Sequence, residues 1–364
     1  MDQYFFQRMS TKTIFNDKET NLITITRYLQ EKGRNIKSTG EFTQLLTAII
    51  TSVKSIASSV RRCGLANLMG MAGDTNASGD DQKKLDVLSN LFMTNMLKAS
   101  YSCCALVSEE EEEAIFIDAD KAGKYIVCFD PLDGSSNIDC LVSIGTVFSI
   151  YRFEGDLNDG QNPNPVTIET ILKPGTEMVG AGYALYGAAN VIVLSTGEAP
   201  DIFMLDPAIG EFILTEKNVK IKPKGKYYSI NEGYTKYWDQ PTKDYINSCK
   251  FPAEPNAKPM NARYIGSMVA DVHRTLVYGG IFAYPANFNS TKGKLRLLYE
   301  AAPMSFLIEK AGGMSTTGTQ RVLDVVPTSL HMRVPVWMGS REDVLNFLKF
   351  VEKCGDDHVQ GNRI

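Results

Sequence analysis

The chain has 364 residues, enough for a large core and roughly two or three domains. Its 38 basic and 42 acidic residues leave no basic field for nucleic acid, and it holds no apolar run long enough to span a membrane. Seven cysteines form no C-x-x-C pair and three histidines are too few for a His-rich metal site or a histidine relay, so a cytoplasmic protein with reduced core thiols, Cys128 and Cys140 among them, is expected.

The polar start Met1-Asp2-Gln3 is not a secretory signal, and residues 1–19 carry no further assignment. Ser38-Thr39-Gly40-Glu41-Phe42-Thr43 places hydroxyls and backbone N–H groups at the head of a helix, which serves a plain cap or an anion site. Apolar residues at 42, 45, 46, 49, 50, 53, 56, 57 and 60 then draw one helical stripe up to Arg62. Gly64 to Lys83 is rich in Gly, Asn, Ser and Asp and reads as a mobile loop. Leu85 to Leu97 repeats the helical period, with Asp86 in the first turn, where a carboxylate favours the dipole.

Ala105-Leu106-Val107-Ser108 is a strand that runs into five glutamates. Glu111 to Glu113 read as a solvated loop, whereas Glu109 and Glu110 sit at the strand end, from which side chains reach a cleft in α/β folds. Tyr125-Ile126-Val127-Cys128-Phe129 reads as a buried strand, followed by Asp130-Pro131-Leu132-Asp133-Gly134-Ser135-Ser136-Asn137. Two carboxylates three residues apart across a proline-stiffened turn can face one cation, and the Gly-Ser-Ser-Asn after them can hold a phosphate on backbone N–H groups and hydroxyls. An Asx-type turn is the plainer alternative. Oxygen ligands of this kind favour Mg²⁺ or Mn²⁺ over zinc. Glu154 to Pro165 is the most loop-like stretch. In Leu295-Arg296-Leu297-Leu298-Tyr299-Glu300 the last residue is an acid amid apolar neighbours, costly to bury unless bound to metal or paired, Arg296 being the nearest partner. Val344 to Val351 is a final helix, with Ser340 as its cap. The class is α/β, without repeats or a linker of distinct composition.

Several motifs extend this pattern: Lys84 to Asn90, Ser108-Glu109-Glu110, Phe129 to Asp139, Ala181 to Gly187, Phe203 to Gly210, Asn231 to Tyr234, Ala262-Arg263-Tyr264, Met268 to Arg274 and Gly293 to Glu300. On these the chain resembles the fructose-1,6-bisphosphatase family of the Mg²⁺-dependent sugar phosphatases, from about Thr20 to about Lys353. The acidic motif alone is shared with inositol phosphatases; the later motifs are the distinguishing ones. The resemblance implies an α/β sugar-phosphatase fold of alternating helix and sheet layers in two halves, 1–219 regulatory and 220–364 catalytic. It implies a phosphoric monoester hydrolase of gluconeogenesis that removes the 1-phosphate of fructose 1,6-bisphosphate, with metal-activated water as the nucleophile. A homotetramer inhibited allosterically by AMP is also implied, in which AMP favours the state where the loop around 64–83 leaves the active site.

The implied metal ligands for Mg²⁺, or Mn²⁺, are Glu109, Glu110, Asp130, Asp133, Glu300 and the Leu132 carbonyl. Glu110 is the implied base on the attacking water, supported by Asp86 and Asp80. Asp133, Gly134, Ser135 and Ser136 fall at the 1-phosphate; Asn231, Tyr234, Tyr264, Met268, Tyr284, Lys294 and Arg296 fall at the sugar and its phosphates; Arg263 matches an arginine that crosses from a neighbouring subunit. Arg34, Thr39, Gly40, Glu41, Thr43, Lys124, Tyr125 and Arg152 match the AMP site. Met69 stands where many animal relatives have tyrosine, Asn289 replaces a lysine, and the 154–165 loop carries no cysteine for a redox switch. The enzymatic rivals are a sedoheptulose-1,7-bisphosphatase or an inositol phosphatase. A catalytically silent AMP- and sugar-phosphate-binding regulator is the rival from another class; it predicts loss of a metal carboxylate, and all five are present.

Overall fold

A computed structural model describes residues 21–35, 40–63, 70–75, 81–155 and 166–355. Thr39, Met69, Asp80, residues 1–20 and most of the 154–165 loop lie outside the described residues.

Helices α1 (Ile25–Asn35), α2 (Glu41–Arg62) and α3 (Lys84–Lys98) pack on one face of the larger sheet. The apolar stripe of α2 does this: Leu45, Leu46, Ile49, Ile50, Val53, Ile56 and Ala57 are buried. Strands β1 (Met71–Thr75) and β2 (Asp81–Lys83) form an antiparallel ribbon inside the stretch expected to be a loop. Neither strand has the alternation that marks a half-buried strand, which is why the sequence reads as loop there.

Among the described residues the larger sheet has eight strands. These are β3 (Cys103–Ser108), β4 (Ile115–Phe116), β5 (Tyr125–Asp133), β6 (Ile144–Arg152), β7 (Met178–Tyr186), β8 (Asn190–Ser195), β9 (Asp201–Asp206) and β10 (Glu211–Glu216). They run in the order β10-β9-β8-β7-β6-β5-β3-β4, antiparallel except for the parallel pair β3–β5. Both faces are covered. In β5, Val127 and Phe129 point into the core under α1–α3, while Ile126 and Cys128 point into the core on the other side.

A second sheet of five strands, in the order β12-β11-β13-β17-β15, lies beyond that other face. Its members are β11 (Tyr227–Ser229), β12 (Asn261–Ala262), β13 (Ile281–Tyr284), β15 (Met314–Thr316) and β17 (Val336–Gly339). Helices α6 (Met268–Tyr278) and α7 (Ala302–Lys310) fill the space between the sheets. Short α4 (Ile168–Ile171) belongs to the same core. On the outer face α5 (Gln240–Lys250) and α8 (Arg341–Cys354) pack together around Trp337 and Phe347, whose rings stack at 3.7 Å. A short antiparallel pair, β14 (Leu295–Arg296) with β16 (Arg333–Val334), sits at the edge of these layers. The α/β layering expected from the sequence is therefore present.

One local expectation holds in position only, and another fails. Ser340 stands at the N-cap of α8, but its hydroxyl accepts from Gly280 N–H at 2.9 Å instead of capping, because β13 passes beside it. Cys140 is exposed at the end of a 3-10 turn, not in the core; its apolar neighbour Leu141 is exposed as well, held at φ 61°.

Candidate active site

The carboxyl ends of β3 and β5 meet where two acidic segments converge. Strand β5 does not stop at Phe129: it continues through Asp133, with an irregular register between Asp130 and Asp133 against β6. The Pro131 carbonyl accepts from Thr146 Oγ1 at 2.8 Å, so β6 holds the kink and turns both carboxylates to one side. Asp130 Oδ1 accepts from Leu132 N–H at 2.9 Å, and Asp133 Oδ2 from Val269 N–H at 2.7 Å, at the N-terminus of α6. Glu300 arrives on a π-helical turn, Leu297–Ala301, and its Oε2 accepts from Arg296 N–H at 2.6 Å.

One oxygen each of Asp130, Asp133 and Glu300 falls within 4.8 Å of the others. All three side chains are buried, as is Glu109. The cation against them is Arg296, whose guanidinium lies 2.9 Å from Glu109 Oε1 and 3.6 Å from Glu300 Oε2. The pairing of Arg296 with Glu300 thus exists, but one guanidinium faces several buried acids. Burial, and then the crowding of Glu109, Asp133 and Glu300, pushes Asp130 well above the carboxylate range. Burial likewise raises Asp133 to about 7 against the opposing Val269 N–H, and Glu300 to about 8 against the opposing Arg296. Such a group is short of positive charge, and its donors are all oxygen. It fits Mg²⁺ or Mn²⁺, which take carboxylates, and not a thiolate-binding metal.

These residues line a cleft of about 450 Å³ together with Lys83, Asp86, Glu110, Leu132, Gly134, Ser135, Ser136, Tyr264, Gly266, Met268, Asp271, Phe282, Tyr284, Lys294, Leu295 and Arg296. Asp86 serves two ends at once. Its Oδ2 accepts from Lys83 N–H at 2.7 Å, the helix-cap role that position predicts. Burial raises its carboxyl to about 7, opposed by the Lys83 N–H and the Ser135 hydroxyl and assisted by Glu109. Gly134 adopts φ +80°, and a Cβ there would come 2.7 Å from Ser267 Oγ, so the chain needs glycine where it turns to present Ser135 and Ser136.

Of the sequence-predicted sugar contacts, Tyr264, Met268, Tyr284, Lys294 and Arg296 line the cleft. Burial, and next the nearby Tyr284, Asp271 and Tyr234, raise the Tyr264 hydroxyl pKa. Asn231 instead caps the turn Glu232–Tyr237 by accepting from Gly233 N–H at 3.0 Å, and Tyr234 stands exposed on that turn. Arg263 is not brought to this cleft. Its guanidinium donates to Ala262 O at 2.8 Å and lies 6.0 Å from the Tyr227 ring centroid.

Several cleft residues escaped the sequence reading, Lys83 and Asp271 among them. Lys83 Nζ pairs with Asp139 Oδ2 at 2.8 Å, joining the residue before the Lys84–Asn90 motif to the last residue of the Phe129–Asp139 motif. Asp271, fully buried, accepts from Ser229 Oγ, Ile265 N–H, Gly266 N–H and Arg274, and so shapes the turn that carries Tyr264. Its place inside the Met268–Arg274 motif was the available signal.

The described residues among those matched to an AMP site fall around the head of α2. Arg34, Gly40 and Thr43 line a groove of about 710 Å³ between α1, α2 and the end of α3. Glu41, Lys124, Tyr125 and Arg152 lie beside it: Lys124 Nζ is 3.4 Å from Glu41 Oε2, and Phe42 packs on Tyr125 at 5.4 Å between ring centroids. Arg152 opposes the burial-driven rise of the Tyr125 pKa.

Comparison with known proteins agrees with this geometry. Residues 23–217 match the family described as fructose-1-6-bisphosphatase, N-terminal domain, and residues 221–352 its C-terminal domain. Fructose-1,6-bisphosphatase isozyme 2 of Bos taurus is 59% identical over 335 residues, covering 92% of this chain and 96% of its own. The cytosolic fructose-1,6-bisphosphatase of Oryza sativa subsp. indica is 56% identical over 326 residues, covering 89% and 94%. The crystal structure of Leishmania major fructose-1,6-bisphosphatase in holo form superposes with a TM-score of 0.85 at 44% identity, covering 91% of this chain and 99% of that one.

Proposed function

The chain belongs to the fructose-1,6-bisphosphatase family, and from that premise we propose that its cleft converts fructose 1,6-bisphosphate to fructose 6-phosphate and phosphate, the step that family contributes to gluconeogenesis. The observation that carries the proposal is the buried trio Asp130, Asp133 and Glu300, short of positive charge and next to the Gly134-Ser135-Ser136 turn.

Mg²⁺, or Mn²⁺, would be held by Glu109, Glu110, Asp130, Asp133, Glu300 and the Leu132 carbonyl. Such an ion, when bound, neutralises phosphate oxygens and acidifies water. The protein's own groups do the rest. Glu110, in the lining of the cleft, takes the proton of the attacking water, and Asp86, in the same lining, helps to orient that water. Backbone N–H groups and hydroxyls of Gly134, Ser135 and Ser136 hold the 1-phosphate beside Asp133. Tyr264, Tyr284, Lys294 and Met268 seat the sugar, with Asn231 and Tyr234 toward the 6-phosphate. Arg263, which points away from its own cleft, serves a neighbouring subunit of a homotetramer; a guanidinium suits bidentate phosphate binding. Asp80 and Thr39 keep their assigned roles as expectations from the resemblance.

AMP is the proposed inhibitor at Arg34, Thr39, Gly40, Glu41, Thr43, Lys124, Tyr125 and Arg152, within the regulatory half, 1–219; residues 220–364 form the substrate-binding half. No helix of the described residues is long and apolar enough to cross a membrane, which accords with a cytoplasmic enzyme without requiring one. The test is phosphate release from fructose 1,6-bisphosphate with and without Mg²⁺ while AMP is titrated. Metal-dependent release that falls with AMP supports both sites. Release indifferent to AMP keeps the cleft and discards the groove. No release from this substrate, with release from sedoheptulose 1,7-bisphosphate or inositol phosphate, moves the assignment to those rivals.

A further inference from the structure

Glu109 and Glu300 come to the cleft from separate segments, so their spacing depends on whatever ties those segments together. The residues His331–Val334 make one such tie. Val334 and Arg333 pair with Leu295 and Arg296, and the Met332 carbonyl accepts from Leu297 N–H at 2.7 Å. Just before them, the His331 ring lies between two partners: Nδ1 is 2.6 Å from Tyr299 OH, and Nε2 is 3.1 Å from the Glu112 carbonyl. A carbonyl can only accept, so Nε2 carries a proton, and in the neutral ring Nδ1 then accepts from the tyrosine. The two bonds therefore run in one direction, from Tyr299 O–H through the imidazole to Glu112.

Both ends of this bridge adjoin metal-site acids. Tyr299 immediately precedes Glu300, and its side chain is fully buried, where a hydroxyl without an acceptor is costly. Glu112 is two residues beyond Glu110, in the stretch read from sequence as a solvated loop. From the other side that stretch is held by α3: Asn90 Nδ2 donates to Glu111 Oε1 at 2.8 Å, Ser108 Oγ donates to Asn90 Oδ1 at 2.8 Å, and Glu110 N–H donates to Ser108 Oγ at 3.2 Å.

The geometry points to His331 as a positioning residue: by clamping Tyr299 to Glu112 it sets the distance between Glu300 and the Glu109–Glu110 pair, and so the affinity of the cleft for a divalent cation. This rests on the metal-binding reading of the cleft above. It assigns His331 no contact with substrate and no proton transfer. Outer residues that orient ligands commonly change metal affinity when lost, by roughly 10–100-fold.

The experiment titrates the full-length protein with Mn²⁺ in the absence of substrate, by paramagnetic resonance or calorimetry, and records the melting temperature with and without the ion. H331N keeps an acceptor near the Nδ1 position and gives up the donor to Glu112; H331Q keeps the donor and gives up the acceptor; Y299F removes the hydroxyl alone. Each breaks the bridge at one point, and each is expected to weaken Mn²⁺ about tenfold and shrink the metal-induced rise in melting temperature. Combining H331Q with Y299F should add little further loss, since both break the same bond. If the variants fold, melt lower without metal, and still bind Mn²⁺ as tightly as the unsubstituted protein, the role is purely structural and the proposal is overturned. If Y299F weakens binding while H331N does not, the link to Glu112 is idle and the clamp is wrong. If the unsubstituted protein binds no Mn²⁺, the metal-site reading fails and this inference falls with it.

Discussion

The cleft and the groove at the head of α2 are both concave, yet the charged groups at each are in opposite conditions. In the cleft, Asp130, Asp133, Glu300 and Glu109 are buried around one guanidinium. Beside the groove, half-exposed Lys124 sits 3.4 Å from Glu41, so this pair has a partner for each charge and water besides. Buried like charges are costly, and the cost is visible as carboxyls raised to about 7 and about 8. A site in that condition declares the sign of what it lacks. The Lys124–Glu41 pair is comfortable without a ligand and declares nothing, so the groove's assignment leans on motif match.

The sharpest way to break the contrast is at Glu110. Replacing it with Gln keeps the shape but removes the proton acceptor and one proposed metal ligand; at saturating Mg²⁺ kcat should still fall by about 10²–10⁴ while fructose 1,6-bisphosphate binds. Steady-state kinetics with a direct binding measurement separates the two effects. Near-normal turnover would remove Glu110 as the base.

Arg263 comes next. It lies over Tyr227 and not in its own cleft; if it serves a neighbouring subunit as proposed, R263A should raise KM by about 10–100-fold, the worth of hydrogen bonds to a charged group, with little change in kcat. Mixed oligomers of R263A and E110Q subunits should then show active clefts with the low KM restored, because a cleft with an intact Glu110 can borrow Arg263 from its neighbour. Mixtures whose remaining activity keeps the raised KM of R263A would place Arg263 elsewhere.

Removing the metal tests the charge shortage itself. Without it, Asp133 and Glu300 hold their protons to about 7 and about 8, whereas in the unfolded chain they lose them near the usual carboxylate pKa. The folded state then binds more protons across this window, so stability is greatest on the acid side and falls as pH rises through the folded values. With chelator present, the melting temperature should decline by a few degrees between about pH 5 and about pH 8, and added Mg²⁺ should flatten that slope. A chelated protein whose melting temperature does not decline with pH would mean the acids carry no such strain.

Much of the cleft was legible because burial writes itself into sequence. Tyr125–Phe129 reads as a strand since both faces of β5 are covered, and Glu300 is conspicuous because its neighbours are apolar. The continuation of β5 through Pro131 was not legible. Local chemistry favours a turn there, and only pairing with β6, Asp133 opposite Gly145, overrides it. The ribbon β1–β2 carries no period to detect, and the hydroxyl of Ser340 is diverted by a strand distant in sequence. Which way Arg263 points and what His331 touches are likewise tertiary facts: each depends on elements that meet only in the fold.

The smallest expected effect falls on the groove side and is the one that can bring the two regions level. Lys124 pairs with Glu41 across a half-exposed gap, so K124A forfeits little stability; exposed ion pairs of this kind contribute on the order of 1 kcal/mol or less. If AMP binds here, its phosphate competes with Glu41 for the same ammonium, and losing that cation should raise the AMP concentration for half-inhibition several-fold, about tenfold at most. Basal kcat should not move, because Lys124 does not line the cleft. Inhibition curves for K124A beside a melting curve decide it. Unchanged AMP sensitivity with an unchanged fold would leave the groove as a gap between helices, and the contrast with the cleft would then be one between a site and a surface.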